Sequence, residues 1–300
     1  MNTFMEQQPQ IRANIARVLG CGPEDLSALE PLGEGLTNTS YRFDARGRSY
    51  VYRHPGEGTD AIINRESEAF SQNIARELDL DGTFIFEDRQ EGWKISRYLE
   101  GCRTLDYHDW DEVACAIAMA RRLHSHPVAS PWEFDIYEET LKILDLLDDG
   151  AAAAFPDFGA LCCLAAQLDA IVKRDGSQKC LCHNDFYGPN FLIADGRMHL
   201  IDWEYSGMGN YANDLGVFIC CSDYGLEEAQ RVFELYFQRP PSDAELRHCL
   251  ASVGLASFYW FVWALYKEAC GDPVGHWLQL WHDNTGAFGR EALEVGESAA

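Results

Sequence analysis

The stretch Cys182-His183-Asn184-Asp185-Phe186-Tyr187-Gly188-Pro189-Asn190-Phe191-Leu192-Ile193, with its echo Leu200-Ile201-Asp202-Trp203-Glu204, decides the fold. A short apolar strand over 179–182 runs into a polar loop with one carboxylate, Asp185, and one carboxamide, Asn190. An apolar run over 191–194, the pair Asp195-Gly196 and a second apolar run ending on Asp202 follow. Asp-Gly between two such runs predicts a β-hairpin. The hairpin reverses the chain, so Asp202 is expected to return beside Asn190 and Asp185, with three oxygen-bearing side chains on one loop face.

That set suits phosphoryl transfer. Mg²⁺ takes hard oxygen ligands, with one or two carboxylates and the substrate phosphates, and a further carboxylate can accept the proton of an attacking hydroxyl. His183, Asp185 and Asn190 follow the H-x-D-x-x-x-x-N order of protein kinases. Asp202-Trp203-Glu204 falls where a later metal-binding aspartate is expected. This reading makes Asp185 the catalytic base and a contact for the substrate hydroxyl, and Asn190 and Asp202 ligands of Mg²⁺. A polar turn whose Asp and Asn bond their own backbone accounts for these residues singly but not for the spaced set. His183 reads as structural.

Composition sets limits. Three hundred residues at 47% hydrophobic content support a large core, in one two-lobed unit or two domains. A formal charge of −24 argues against nucleic acid and anionic membrane as partners. It suits a cationic small substrate, and equally a plain solvated acidic surface. The polar N-terminus lacks the apolar core of a signal peptide, and the apolar stretch 253–265 is short for a bilayer span. A soluble, cytoplasmic protein is expected. The eleven cysteines include no C-x-x-C pair, so neither a disulfide framework nor a zinc spacing is evident. Cys180, Cys182 and His183 crowd one stretch. Strand alternation puts both sulfurs on one face, where thiols pack as small hydrophobes, and the metal reading is disfavoured.

The first hundred residues read as strands with two helical segments. A glycine turn, Gly33-Glu34-Gly35-Leu36-Thr37-Asn38, lies between strands. Its backbone N–H groups can approach phosphates without a side-chain clash, which assigns Gly35, Thr37 and Asn38 to ATP. No P-loop motif occurs. Arg53, near the end of the next strand, stands where a kinase-type lobe needs a cation on the α and β phosphates, and its fork can serve bidentately. The helix expected over 60–78 offers Glu66 and Glu68 as partners for Arg53, with Glu68 favoured. Leu99-Glu100-Gly101 breaks the strand pattern and divides lobes 1–99 and 100–300. Ligands favour interlobe clefts, so the nucleotide base is expected on the backbone of Tyr98 and Leu99.

After residue 110 the periodicity is helical, over 111–123, 134–147, 158–172, 226–237 and 242–250. His124 and His126 read as structural. Asp214 reads as a helix cap that ties down the catalytic loop. Trp260 and Trp263, three apart, share a helix face, and Trp277 and Trp281 follow on the next helix. Aromatic faces attract quaternary ammonium groups by roughly 0.5–2 kcal/mol per contact, although a tryptophan pair on a buried helix can simply be core. Asp223, beside Tyr224, is the candidate acidic partner for a cationic head group.

Over about 32–281 the chain resembles the choline/ethanolamine kinase family, especially its bacterial members, within the aminoglycoside-phosphotransferase and protein-kinase-like superfamily. The resemblance rests on Gly35-Leu36-Thr37-Asn38, Arg53 in a lysine position, Asn64-Arg65-Glu66-Ser67-Glu68, His183-Asn184-Asp185 through Asn190, Ile201-Asp202-Trp203-Glu204-Tyr205 and Trp260-x-x-Trp263. It implies an α+β, two-lobed protein-kinase-like fold: a small antiparallel-sheet N-terminal lobe with a packed helix and a larger, mostly helical C-terminal lobe. It also implies a Mg²⁺-dependent enzyme that transfers the γ-phosphoryl group of ATP to choline or a related amino-alcohol. Trp260 and Trp263 then belong to a choline cage, with Tyr224 and Trp281 as further substrate contacts. Where eukaryotic members place a pocket glutamate downstream of the position matching Asp214, this chain has Cys221 and Ser222, with Asp223 close by. An aminoglycoside or other sugar kinase of the same fold, or a non-catalytic nucleotide-binding module, are the alternatives.

Overall fold

The computed structural model describes residues 2–32, 38–55, 64–148 and 150–297. Contacts divide the chain into two units, Met1–Arg103 with Leu192–Glu204, and Thr104–Phe191 with Tyr205–Ala300.

The first unit is an antiparallel sheet with helical cover. Helix α1 (Asn2–Leu19) stops at Gly20, whose positive φ of 64° continues no helix. Strands β1 (Glu30–Pro31), β2 (Asn38–Ala45), β3 (Arg48–Pro55), β4 (Phe84–Glu87) and β5 (Lys94–Arg97) lie in the order β1-β2-β3-β5-β4. Arg46 and Gly47, both at positive φ, make the two-residue turn between β2 and β3. Such turns match the twist of the strands they join. Tyr41, Phe43, Tyr50, Tyr52, Trp93 and Ile95 close a core with Ile11 and Ile15 of α1. Helix α2 (Arg65–Glu77) begins at Asn64, whose side chain accepts the N–H groups of Glu66 and Ser67.

The two-residue strand β6 (Arg103–Thr104) ends this first stretch. The expected hairpin is present as β8 (Phe191–Ala194) and β9 (Arg197–Leu200), turning at Asp195 and Gly196. Its second strand seats on the first unit. Leu200 donates its N–H to the Leu80 carbonyl at 2.9 Å, His199 Nδ1 accepts the N–H of Gly82 at 3.1 Å, and Arg197 pairs with Asp79.

The second unit is mainly helical: α3 (Trp110–His124), α4 (Ile136–Leu144), α5 (Phe158–Asp175), α6 (Tyr211–Cys220), α7 (Leu226–Phe237), α8 (Asp243–Ala269) and α9 (Trp277–Glu297). Asp109, Asp135 and Asn210 cap α3, α4 and α6, and Ser242 with Glu245 forms a capping box on α8. Strand β7 (Cys180–Cys182) pairs antiparallel with β10 (Gly207–Gly209). The apolar periodicity over 242–250 and the aromatic run that follows belong to one helix, α8. It is buried on every side from His248 to Ala264 except at Trp263, which marks a core helix. By length and composition α8 could cross a membrane, and 89% of its most apolar window is buried. A Cβ on Gly254 would fall 3.2 Å from Gly289 Cα and 2.6 Å from Leu168 Cδ1, so two facing glycines allow α8 and α9 to close up beside α5.

Candidate active site

The loop that follows β7 is held by backbone hydrogen bonds. Asp214, fully buried on α6, accepts the N–H of His183 at 2.9 Å and of Asn184 at 2.6 Å. It does not cap α6, a role filled by Asn210, but it does tie down the loop. Its Oδ2 also lies 2.9 Å from His124 Nε2. Burial works against a charged His124, yet the hydrogen bond to Asp214 and the charge of that carboxylate prevail and hold the imidazole pKa above its usual value. Asn184 sits at φ 64°, a left-handed conformation that asparagine tolerates better than most residues.

Beyond Asn184 the turn closes on itself. Asp185 donates its N–H to His183 Nδ1 at 3.2 Å, which leaves the ring proton of a neutral His183 on Nε2. Asn190 Nδ2 donates to the Asp185 carbonyl and to Asp185 Oδ2, both at 2.8 Å. Gly188 donates its N–H to the Tyr107 hydroxyl at 2.7 Å, and a Cβ there would stand 2.8 Å from the Tyr107 ring. Asp185 and Asn190 are therefore in direct contact, on a backbone fixed from α6 and from Tyr107.

In the first unit charges gather around Arg53. Its Nη2 lies 3.2 Å from Glu68 Oε1 and 2.8 Å from Glu204 Oε2, and its Nη1 pairs with Asp202. Burial opposes the guanidinium charge, but Asp202, Glu204 and Glu68 secure it. Asp202 adopts φ 66°, and Trp203, fully buried behind it, donates Nε1–H to the Leu200 carbonyl at 3.0 Å. Arg53 is the cross-strand partner of Lys94, which is in turn the partner of Glu87, so three charged residues form a row across β3, β5 and β4. Lys94 pairs with Glu68, which is completely buried. Burial pushes the Glu87 carboxyl up to about 8. Glu87 as a neutral acid can donate to Glu68, whose Oε2 otherwise has no hydrogen-bond partner. Glu66 is on the exposed side, 3.7 Å from Arg89.

Gly35 and Thr37 lie outside the described residues, and of Asn38 only the backbone is described, paired with Pro55. Tyr98 gives its N–H to Ser49 and its ring face to Arg42 at 4.4 Å. The Leu99 carbonyl accepts the N–H of Cys102 at 3.4 Å.

The tryptophans meet as the helical spacing requires. Trp260 lies 5.5 Å from Trp263 and 5.8 Å from Trp281, and Trp277 stacks on Trp281 at 5.4 Å. The indole N–H groups of Trp260 and Trp281 are buried without a hydrogen-bond partner. Tyr224 belongs to a different aromatic group, stacked on Trp110 at 5.4 Å and edge-on to Tyr107. Asp223 is largely exposed, 3.4 Å from His108.

Sequence reasoning did not find Lys94, Glu87, Glu204, His124 or Tyr107. Glu87 left a weak signal, a carboxylate closing the apolar run Phe84-Ile85-Phe86, whereas Lys94 opens a four-residue strand with one apolar side chain and left none. His124 and Tyr107 left none, because their partners are 90 and 81 residues away.

An antiparallel-sheet unit that bears a buried Arg–Glu pair and a helical unit that bears an Asp–Asn loop define a protein-kinase-like phosphotransferase. The chain belongs to the Phosphotransferase enzyme family, whose model matches residues 28–248. It is 28% identical to Protein LicA of Haemophilus influenzae over 252 residues, covering 80% of this chain and 74% of that protein. Its fold matches the choline kinase LicA from Streptococcus pneumoniae with a TM-score of 0.76 at 24% identity, over 98% of this chain and 99% of the other. A LicA structure in complex with AMP matches with a TM-score of 0.74 at 24% identity, over 88% of this chain and 91% of the other.

Proposed function

We propose that this chain transfers the γ-phosphoryl group of ATP to the hydroxyl of choline or a related amino-alcohol, as a cytoplasmic, Mg²⁺-dependent kinase. The observation that carries the reading is the 2.8 Å contact between Asn190 Nδ2 and Asp185 Oδ2 on a loop whose N–H groups are anchored by Asp214. Asp185 orients the acceptor hydroxyl and takes its proton. Asn190 directs its amide N–H groups to Asp185, which leaves its carbonyl oxygen as the hard donor proposed for the ion. The carboxylate of Asp202 is the second ligand proposed, and a carboxamide oxygen with a carboxylate is the kind of hard donor set that suits Mg²⁺. The ion, when bound, offsets the negative charge of the ATP phosphates. Arg53, braced by Glu68, holds phosphate oxygens, and Gly35, Thr37 and Asn38 contribute phosphate contacts. The base lies against the backbone of Tyr98 and Leu99. Catalysis in this scheme is positioning and charge stabilisation.

The acceptor is inferred from two things: the likeness to proteins named choline kinases, and the tryptophan rings on α8 and α9, which offer π faces to a quaternary ammonium group. Trp260, Trp263 and Trp281 contact this head group, and Tyr224 contributes from its own aromatic stack. The test is ATP turnover with Mg²⁺ against choline, ethanolamine, an aminoglycoside and no acceptor. Choline-stimulated turnover that falls in Trp260→Ala supports the full proposal. Stimulation by the aminoglycoside alone keeps the phosphotransferase and removes the tryptophan cage. No stimulation by any acceptor, with ATP still bound, removes the kinase assignment for this set of substrates.

A further inference from the structure

His124, Cys180 and Cys182 come together in the second unit, and the function proposed above uses none of the three as a ligand. They arrive from two elements: β7 supplies both cysteines two residues apart, and the last residue of α3 supplies the histidine. One ligand atom from each lies within 4.8 Å of the others. The sequence reading paired the cysteines with the adjacent His183. The structure instead turns His183 Nδ1 to the backbone of Asp185 and puts His124, 56 residues before Cys180, beside the sulfurs.

We propose that His124, Cys180 and Cys182 form a binding site for a thiophilic divalent ion, with Zn²⁺ the best match. Two thiolates and an imidazole are the donors that favour zinc over magnesium or calcium. The Cys180 and Cys182 sulfurs are 3.7 Å apart. Two sulfurs on a tetrahedral zinc, each about 2.3 Å from the ion, stand about 3.8 Å apart, so these need not move relative to each other. A metal-bound histidine commonly donates its second ring N–H to a carboxylate, which fixes its tautomer and orientation. His124 already has that partner, with Nε2 2.9 Å from Asp214 Oδ2. Its Nδ1 is 2.9 Å from the Tyr236 hydroxyl, and the ion takes the place of that contact. Cys182 exchanges its thiol contact with the Asn210 carbonyl for the ion. Binding releases the thiol protons to solvent, and the imidazole binds unprotonated.

Access and the fourth position come from one feature. A cavity of about 520 Å³ reaches Cys180 and His124 and is also lined by Tyr211, Tyr236, Arg121 and Gln178. Water or a small anion from this cavity completes the tetrahedron, as in sites with three protein ligands. The ion then holds His124 against Asp214, the same carboxylate that receives the N–H groups of His183 and Asn184.

The site is tested by anaerobic titration of the reduced, full-length protein with Co²⁺, read by absorption. One equivalent is expected to bind with thiolate-to-cobalt charge-transfer bands and the strong ligand-field bands of tetrahedral Co²⁺, and Zn²⁺ should displace it. Cys180→Ser should abolish the charge-transfer signal from this site. His124→Gln should lower the affinity at least about 100-fold, beyond the usual cost of losing only a supporting contact. Tyr236→Phe, which frees Nδ1 without removing a ligand, should bind at least as tightly as the parent. A combined Cys115→Ser, Cys163→Ser and Cys270→Ser variant, which removes the three exposed thiols, should keep the spectrum. Absence of a tetrahedral spectrum in the parent, its persistence in Cys180→Ser, or its loss in the exposed-thiol variant would overturn the proposal.

Discussion

Asp202 in the first unit and Asp214 in the second are both acidic, and they are held in opposite ways. Asp202 sits in a cluster of long charged side chains, where Arg53 is shared among Asp202, Glu204 and Glu68, and Lys94 also meets Glu68. Asp214 receives two backbone N–H groups and one imidazole. In the first region each position depends on the charge of its neighbours. In the second, the backbone fixes the geometry and the charge follows. The difference teaches that the first region should respond most to charge-changing mutation, and the second to loss of shape or of hydrogen-bond acceptors and, through His124, to pH.

The largest effect is expected in the loop. Asp185→Asn keeps the shape and the contact to Asn190 but removes the proposed base, and turnover should fall about 10²–10⁴-fold, with ATP affinity in a direct binding assay little changed. Wild-type turnover in this variant would remove Asp185 from the chemistry.

Next comes Arg53→Met. It leaves Glu68, Asp202 and Glu204 facing one another, and breaking a buried pair in this way costs about 3–5 kcal/mol. Chemical denaturation should show that loss, with part of it restored in Arg53→Lys, which keeps the charge without the fork. An unchanged unfolding midpoint would show that the cluster is solvated and would break the comparison.

Glu87 sharpens it through pH. Its carboxyl titrates at about 8 in the folded chain against an ordinary value of 4.5. The folded state therefore holds this proton more tightly. The stabilisation is full below the lower value and is lost as pH rises through the upper one. Denaturation profiles over this window should slope downward by an amount on the order of a few kcal/mol, and Glu87→Gln should flatten them. Parallel slopes in the two proteins would exclude Glu87 as their source.

Asp214→Asn tests the other side. A carboxamide keeps one acceptor oxygen, and about 1–3 kcal/mol should be lost for the N–H group left unpaired, with a larger loss at low pH, where the wild-type protein gains from the raised His124 pKa, than at high pH. The smallest effect belongs to Asn184→Gly. It keeps the positive φ but loses the hydrogen bond from the buried Asn184 Nδ2 to the Tyr205 carbonyl at 3.0 Å and should cost about 1 kcal/mol, whereas Asn184→Val, which also resists positive φ, should cost about 1–3 kcal/mol more. Equal melting temperatures for these two variants would deny the left-handed conformation.

Much of this was legible in the sequence wherever a local pattern exists. The Asp195-Gly196 hairpin, the Asp185–Asn190 spacing and the face shared by Trp260 and Trp263 each follow from a turn or a helical period. Arg53 and Glu68 were paired because a strand and the following helix supply one cation and one favoured carboxylate. The same logic stops where the partner is distant. Nothing around His124 distinguishes it from His126, and its identity as the support of Asp214 exists only once α3 packs near β7 and α6. Lys94 on a four-residue strand gave too short a window for its burial to be read. The length of α8 was obscured because a helix apolar on all sides carries no single-faced stripe.

The hairpin's place in the first unit has a consequence for how the protein is made. Residues 1–103 leave the ribosome early, but Leu80 then lacks Leu200, and Arg53 lacks Asp202 and Glu204. Eighty-eight residues of the other unit (104–191) must be synthesised before the missing strands arrive. No single cut separates the two units into whole halves, and the first unit reaches its final form only after residues 192–204 have been translated.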